Sequence, residues 1–355
     1  MPVRLQKGGF NLNFGTKLKN VEAYNPTEYN GEIRLDANES CFDLPQEIKD
    51  EIAENIKKIE FNRYPDPNAT ELCAKFASYF GINAKNVLAG NGSDELLSLL
   101  FGAILRPNSF VMLVTPDFSM YKFYADLYGQ NSLVFNKPIN TKFEYKKALS
   151  LAQKADMIVF SNPCNPTSTG AFKKDILELV SSVSGIVVAD EAYMDFWDES
   201  VINHINRLNN LIVLKTCSKA FGIAAARVGF AVANENIIEM FKKAKSPYNV
   251  STLDQVAAMT VLSHPQYLKE RTQQLIEQRN KLYNGLKPLL TAEMQMPEPK
   301  TNFVRISTFR AQQIYDALRE KGIITRCLGE NILRISVGTD DEINTLLKAF
   351  KEVTK

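Results

Sequence analysis

Six short runs of this chain carry apolar side chains at nearly every position, and stretches of helical periodicity separate them. They cover residues 86–89, 110–115, 157–161, 186–189, 211–215 and 228–232. A strand with one face in water alternates apolar and polar residues. A run with neither face polar needs cover on both sides. Buried strands that alternate with helices build an α/β domain around a largely parallel sheet, with helices on each face. With 355 residues, 45% of them hydrophobic, the chain can fill such a core and still form a second unit.

The flanking segments have a different character. Residues 1–44 read as an extended arm with turns at Asn25-Pro26 and Asn30-Gly31, part of which joins the smaller domain. A helical pattern begins at Pro45, with Ile48, Ile52, Ile56 and Ile59 on one face. A stretch rich in breakers, Arg63 to Pro67, separates it from an amphipathic segment over residues 69–80. The large domain is expected over residues 45–270. A long helical stretch runs from beyond Pro247 to Tyr283. The smaller α+β domain, residues 271–355, has strands at 302–306, 323–326 and 333–336 and a helix at 311–321. A closing helix from Asp341 follows Thr339-Asp340 as its N-cap.

Several function classes are excluded. Lysine and arginine total 42 against 40 acids and are scattered among them, so no basic face for nucleic acid is expected. The five cysteines form no Cys-x-x-Cys pair and only two histidines occur, His204 and His264, so no metal centre is expected. No apolar run reaches the ~20 residues that span a bilayer. The first fifteen residues lack the apolar core of a secretory signal. Unpaired thiols suit a reducing cytoplasm.

Sites in sheets of this kind lie beyond the carboxyl ends of the strands, and four clusters occur there. The first, Gly90-Asn91-Gly92-Ser93-Asp94, leads into a helix whose free N–H groups suit an anion; a plain tight turn is the alternative. The second, Ser161-Asn162-Pro163-Cys164-Asn165-Pro166-Thr167, is a constrained loop able to hold one amide in place, or a loop with no ligand. The third, Asp190-Glu191-Ala192-Tyr193, brings an acid out of an apolar strand, where it needs a partner such as a protonated pyridine nitrogen or an arginine. The fourth, Thr216-Cys217-Ser218-Lys219, continues to Arg227. A lysine leaving a buried strand has a lowered pKa, which favours the neutral amine needed for a Schiff base. Thr216, Ser218 and Arg227 offer hydroxyls and a guanidinium suited to phosphate.

Together and in this order, these clusters resemble fold-type I pyridoxal-phosphate aminotransferases, and within them the histidinol-phosphate aminotransferase family. The resemblance runs from about Tyr24 to the C-terminus. Its most specific pieces are Leu35-Asp36-Ala37-Asn38-Glu39, Arg63-Tyr64-Pro65-Asp66, Asn165-Pro166-Thr167, Asp190-Glu191-Ala192-Tyr193 and Ser218-Lys219-Ala220-Phe221-Gly222. It implies that Lys219 carries pyridoxal 5'-phosphate and later moves the proton. Asp190 pairs with the ring nitrogen so that the ring acts as an electron sink. Asn165 and Tyr193 bond the ring hydroxyl oxygen, and Phe118 stacks on the ring where relatives often have tyrosine. Backbone N–H groups of Ser93 and Asp94 hold the phosphate with Thr216, Ser218 and Arg227. Tyr64 reaches the phosphate of a neighbouring subunit, which implies a homodimer with shared sites.

For the substrates, the resemblance assigns a carboxylate to Arg334 and a phosphate to Arg326, with Tyr24 and Asn38 closing over them. A salt-bridged surface residue is the alternative for Arg326. The implied reaction is a ping-pong amino transfer from glutamate to imidazole acetol phosphate. Three departures stand out: Ser168 where glycine is usual, Ala224-Ala225-Ala226 before Arg227, and Ala23 before Tyr24. None removes a chemical group. An aromatic amino acid aminotransferase and a threonine-phosphate decarboxylase are the alternatives on the same scaffold. A non-catalytic relative would lack the lysine or the acid, and both are present.

Overall fold

The computed structural model describes residues 33–329 and 331–354; Tyr24 and the turns of the arm lie outside them. In chain order the first elements are β1 (Ile33–Arg34), α1 (Gln46–Ile56), α2 (Thr70–Phe80), β2 (Val87–Asn91) and α3 (Gly92–Leu99). Next come β3 (Phe110–Thr115), α4 (Ser119–Leu127), β4 (Asn131–Asn136), α5 (Tyr145–Ala152), β5 (Met157–Ser161) and α6 (Lys173–Ser181). Then follow β6 (Ile186–Asp190), β7 (Leu211–Thr216), β8 (Val228–Ala233), α7 (Glu235–Ala244), α8 (Thr252–Leu262) and α9 (Pro265–Leu286). The last are β9 (Phe303–Ser307), α10 (Ala311–Glu320), β10 (Ile323–Ile324), β11 (Arg326–Leu328), β12 (Ile332–Ser336) and α11 (Asp340–Val353).

A seven-stranded sheet in the order β2-β8-β7-β6-β5-β3-β4 forms the centre. It is parallel except at β8, which runs antiparallel to both neighbours. Successive residues of β2 and of the inner strands feed opposite faces. Ala89, Met112, Ile158, Val187 and Val213 enter one apolar cluster. Their neighbours Leu88, Leu113, Val159, Val188 and Leu214 enter the other. Two buried faces therefore account for runs without polar positions. On the first face, Phe76 of α2 stacks on Phe230 of β8 with ring centroids 3.9 Å apart.

The sequence reading missed β4. As the sheet edge it is half exposed along its length and polar at both ends, so it lacks the wholly apolar signature. The expected long helix after Pro247 is two helices. Pro265 has no N–H to continue the ladder and sits instead at the first turn of α9. The expected strand 323–326 also divides. Ile323 and Ile324 pair in parallel with β1, whereas Arg326 to Leu328 pair with β12. The closing helix carries the expected cap: Thr339 and Glu342 form a reciprocal capping box.

A third apolar cluster joins Leu35 to Leu282, Leu286, Val304, Ile314, Leu333, Leu346 and Phe350. Helix α9 serves two cores, with Leu268 and Leu275 in the first cluster and Leu282 and Leu286 in the third. Residue 270 thus lies inside one continuous helix. The chain after β1 is stitched to the small sheets: Leu35 N donates to Ile324 O at 2.7 Å, and Ser336 N donates to Leu35 O at 2.9 Å. That stitching delivers Asp36, Ala37 and Asn38 to the strand ends of the large sheet. Because Leu275 is fully buried, Leu275→Ala is expected to cost about 2–5 kcal/mol. The measurement is urea unfolding; a loss under about 1 kcal/mol would mean that α9 does not carry the core.

Candidate active site

All four clusters lie just beyond the ends of β2, β5, β6 and β7. Asp190 closes β6, opposite Ser161 of β5 in the ladder. Its side chain is buried. Oδ2 accepts from the Tyr121 hydroxyl at 2.8 Å, and Oδ1 accepts from Ala192 N at 3.1 Å. Burial outweighs these bonds and pushes the carboxyl up to about 6. A protonated ring nitrogen beside it would draw it back down, since an opposite charge favours the ionised form.

Lys219 sits in the turn that follows β7, and its Nζ donates to Ala37 O at 3.0 Å. Burial first, then the charge of Arg334, lowers its pKa to about 8. The neutral amine is therefore far more populated than in a lysine in water.

The turn expected to seat an anion lies at the start of α3. The first N–H groups of a helix have no acceptor within it, and the macrodipole is positive there. Gly92 has φ +74°, and a Cβ there would lie 2.7 Å from Arg227 Nη2. A Cβ on Gly229 would lie 2.5 Å from Ser93 N. Both glycines thus keep a cradle open between α3 and Arg227. Arg227 itself adopts φ 49°, left-handed for a non-glycine residue. It donates to Ser218 Oγ at 3.5 Å and pairs with Asp94 at 3.3 Å. Thr216 Oγ1 in turn bonds Ser218 Oγ at 3.0 Å.

The other end gathers Asn165, Tyr193, Asn38 and Arg334. Arg334 Nη1 donates to Asn165 Oδ1 at 2.8 Å. A guanidinium has no acceptor, so the amide Nδ2 of Asn165 must face away and can donate elsewhere. Asn38 Nδ2 donates to the Tyr193 hydroxyl at 2.9 Å, which leaves the phenol proton free to donate in turn. Arg334 also donates to the carbonyl of Asp36 and lies over the Phe303 ring. Phe118, at the N-cap of α4, packs edge-on to Tyr121.

Ser168, where glycine was expected, has φ 58°. That explains the usual glycine, since a side chain in this region is strained. Here the hydroxyl offsets the strain by bonding Thr301 Oγ1 at 2.6 Å and Phe303 O at 3.1 Å.

Tyr64 stands apart from this group, whereas Arg326 adjoins it through the sheet ladder. Tyr64 is 80% exposed and stacks on Tyr248 at 4.6 Å. Arg326 lies on β11 directly opposite Arg334 of β12, hence on the same sheet face. Of the two histidines, His264 occupies the N-cap of α9 and pairs with Glu51. Among the described residues no group of side chains could hold a metal ion.

Sequence reasoning missed three supporting residues. Tyr121 is the Asp190 partner already named. Asp117, pushed up to about 7 by burial, accepts from Phe118 N at 2.7 Å and from Ser161 N at 3.1 Å. The Ser161 hydroxyl bonds this carboxyl and receives Asn165 N at 3.0 Å, so the acid links the Phe118 turn to the Asn165 loop. Arg305 is fully buried, next to Arg334 in the sheet ladder. Its guanidinium donates to Asn140 Oδ1 at 2.6 Å and to Ile139 O at 3.3 Å, and Nε reaches Thr167 O at 3.4 Å. An arginine between apolar neighbours in Phe303-Val304-Arg305-Ile306 was the available signal.

The sequence model of the family "Aminotransferase class I and II" matches residues 30–350. The chain belongs to this family. It is 37% identical over 342 residues to the histidinol-phosphate aminotransferase of Clostridium novyi, covering 94% of this chain and 96% of that one. The enzyme of the same name from Pyrococcus furiosus is 33% identical over 341 residues, with 95% and 96% covered. In three dimensions this aminotransferase matches the histidinol-phosphate aminotransferase of Sinorhizobium meliloti, solved with pyridoxal 5'-phosphate. The TM-score is 0.88 at 21% identity, with 98% of each chain covered.

Two outcomes test the site. In the cofactor-free aminotransferase, modification of Lys219 by an amine-directed reagent should rise with a midpoint near pH 8. Peptide mapping against Lys219→Ala measures it, and a midpoint near the ordinary lysine value of about 10.4 would mean that water reaches the amine. Gly229→Ala should weaken cofactor binding by about 10-fold or more through displacement of the α3 N-terminus, as read by dialysis and absorbance.

Proposed function

We propose that this aminotransferase moves the amino group of L-glutamate to imidazole acetol phosphate, giving L-histidinol phosphate and 2-oxoglutarate, with pyridoxal 5'-phosphate as its cofactor. The observation that carries the reading is the convergence of three features at adjoining strand ends. These are an amine lowered to about 8, a buried carboxylate and an anion cradle. A cofactor with an aldehyde, a basic ring nitrogen and a phosphate matches them one to one. The names of the full-length relatives supply the substrates.

When bound, the cofactor accepts the amino group and its protonated ring draws electrons from the substrate Cα. The protein's part is to orient, exclude water and move one proton. Lys219 holds the cofactor, and its released amine carries the proton from the substrate Cα. A lowered pKa keeps that amine free to accept. Asp190 keeps the ring nitrogen protonated. Asn165 Nδ2 and the Tyr193 hydroxyl, both left free to donate, would hold the ring oxygen. Phe118 covers the ring face. Ser93, Asp94, Thr216, Ser218 and Arg227 hold the phosphate.

Arg334 binds the α-carboxylate of glutamate, and Arg326 binds the phosphate of the other substrate. Their opposite positions on β11 and β12 support this pairing, because facing residues of a ladder project from one sheet face. Guanidinium suits both anions because its fork matches two oxygens at once. Asn38 joins them through Tyr193, and Tyr24 closes the site from the arm. Tyr64 serves the phosphate of a second subunit, so the working form is a homodimer, resident in the cytoplasm. Exposure of Tyr64 in the single chain supports that assignment, and all five cysteines are free. No described helix is long and apolar enough to cross a membrane.

L-histidinol phosphate added to the purified yellow protein is expected to bleach it rapidly, while phenylalanine and threonine phosphate do so slowly. Bleaching mainly by phenylalanine, or release of carbon dioxide from threonine phosphate, would overturn the substrate assignment. Arg334→Lys should raise the KM for glutamate by about 10- to 100-fold, from loss of a charged fork. Steady-state kinetics check this, and an unchanged KM would remove Arg334 from the carboxylate site.

A further inference from the structure

We propose that Tyr121 is a positioning residue for the amino transfer, holding Asp190 as an anion and fixing which of its lone pairs faces the cofactor ring. The inference rests on the reading above, in which Asp190 pairs with the ring nitrogen.

The charges around Asp190 leave it short of a cation. Lys215, on the adjoining strand β7, is its basic neighbour, but Lys215 Nζ is 3.0 Å from the carboxylate of Asp195. Asp94 of α3 acts on Asp190 with the unfavourable sign. A buried carboxylate without a partnered cation depends on hydrogen-bond donors to stay ionised. Two donors are in place. The backbone N–H of Ala192 serves Oδ1 at 3.1 Å, and the Tyr121 hydroxyl serves Oδ2 at 2.8 Å. The backbone donor is fixed by the turn after β6. Tyr121 is therefore the side chain that decides how strongly the acid holds its charge.

Tyr121 is built for that role. Burial and the charges of Asp190 and Asp117 raise its phenol well above the ordinary value, so it stays a donor throughout the working pH range. Its ring is 2% exposed and packs in the apolar cluster with Leu96, Val159 and Val188. It also meets Phe118 edge-on, with centroids 5.6 Å apart, one turn of α4 away. One side chain thus touches both the acid behind the ring nitrogen and the aromatic residue expected on the ring face. With Oδ1 and Oδ2 each receiving one donor, the remaining lone pairs are left to the ring nitrogen.

Tyr121→Phe removes the hydroxyl and keeps the packing. Without the phenol, Asp190 becomes more basic and takes more of the ring proton. The ring loses positive charge, and the lysine–cofactor linkage keeps its own proton to higher pH. The expected result is that the yellow band of the loaded protein fades about one pH unit higher than in the wild type. In glutamate turnover, kcat should fall by about 10- to 100-fold while KM stays within about 3-fold. In an Asp190→Asn background, which has no charge to hold, adding Tyr121→Phe should change kcat by less than about 2-fold. A lower melting temperature with unchanged band midpoint and kcat would show a packing role only and overturn the inference. So would equal losses in the two backgrounds. Wild-type protein that binds no cofactor would instead overturn the parent reading, and this inference with it.

Discussion

Burial of charge at the carboxyl ends of β6 and β7 is the constraint on which the rest of this structure depends. Asp190 and Lys219 leave a sheet whose inner strands are covered on both faces. Taking each out of water moves its pKa toward neutrality, the acid upward and the amine downward. A cofactor that is a cation at its ring nitrogen and an electrophile at its aldehyde relieves both costs at once. The same apolar layers that stabilise the fold therefore set up the chemistry, and the helices on both faces are part of the active site's electrostatics.

Other elements act as supports for that pair. The small sheets bring Arg334 to Asn165 and hold Asn38 beside Tyr193, so residues far apart in sequence orient the Asn165 amide and the Tyr193 hydroxyl. From behind, Asp117 and Arg305 fix the loops on which Phe118 and Asn165 ride. Ser168 joins the Asn165 loop to Thr301. Helix α9 spans both cores and keeps the two bodies of structure in register.

Strands apolar on both faces were legible because burial on two sides leaves no polar positions. Their alternation with helices was enough for the fold class. The edge strand β4 was not legible, since half its surface meets water and its sequence resembles a loop. The break between α8 and α9 was carried by Pro265, whose meaning as a helix start depends on where the preceding helix ends. At the site, Lys219, Asp190 and the glycines of the anion seat stood out because each violates the pattern around it. Tyr121 did not, because an aromatic residue at helical spacing is what a core requires; only the fold reveals that its hydroxyl ends at Asp190. Asp117 was hidden for a similar reason, as its partners come from another strand end.

The central claim is that Asp190 keeps the cofactor ring protonated at neutral pH. The direct measurement is the nitrogen NMR shift of the protein reconstituted with cofactor labelled at the ring nitrogen, compared with Asp190→Asn. The account predicts a protonated ring nitrogen in the wild type and an unprotonated one in the variant. An unprotonated nitrogen in the wild type, or the same shift in both proteins, would contradict it.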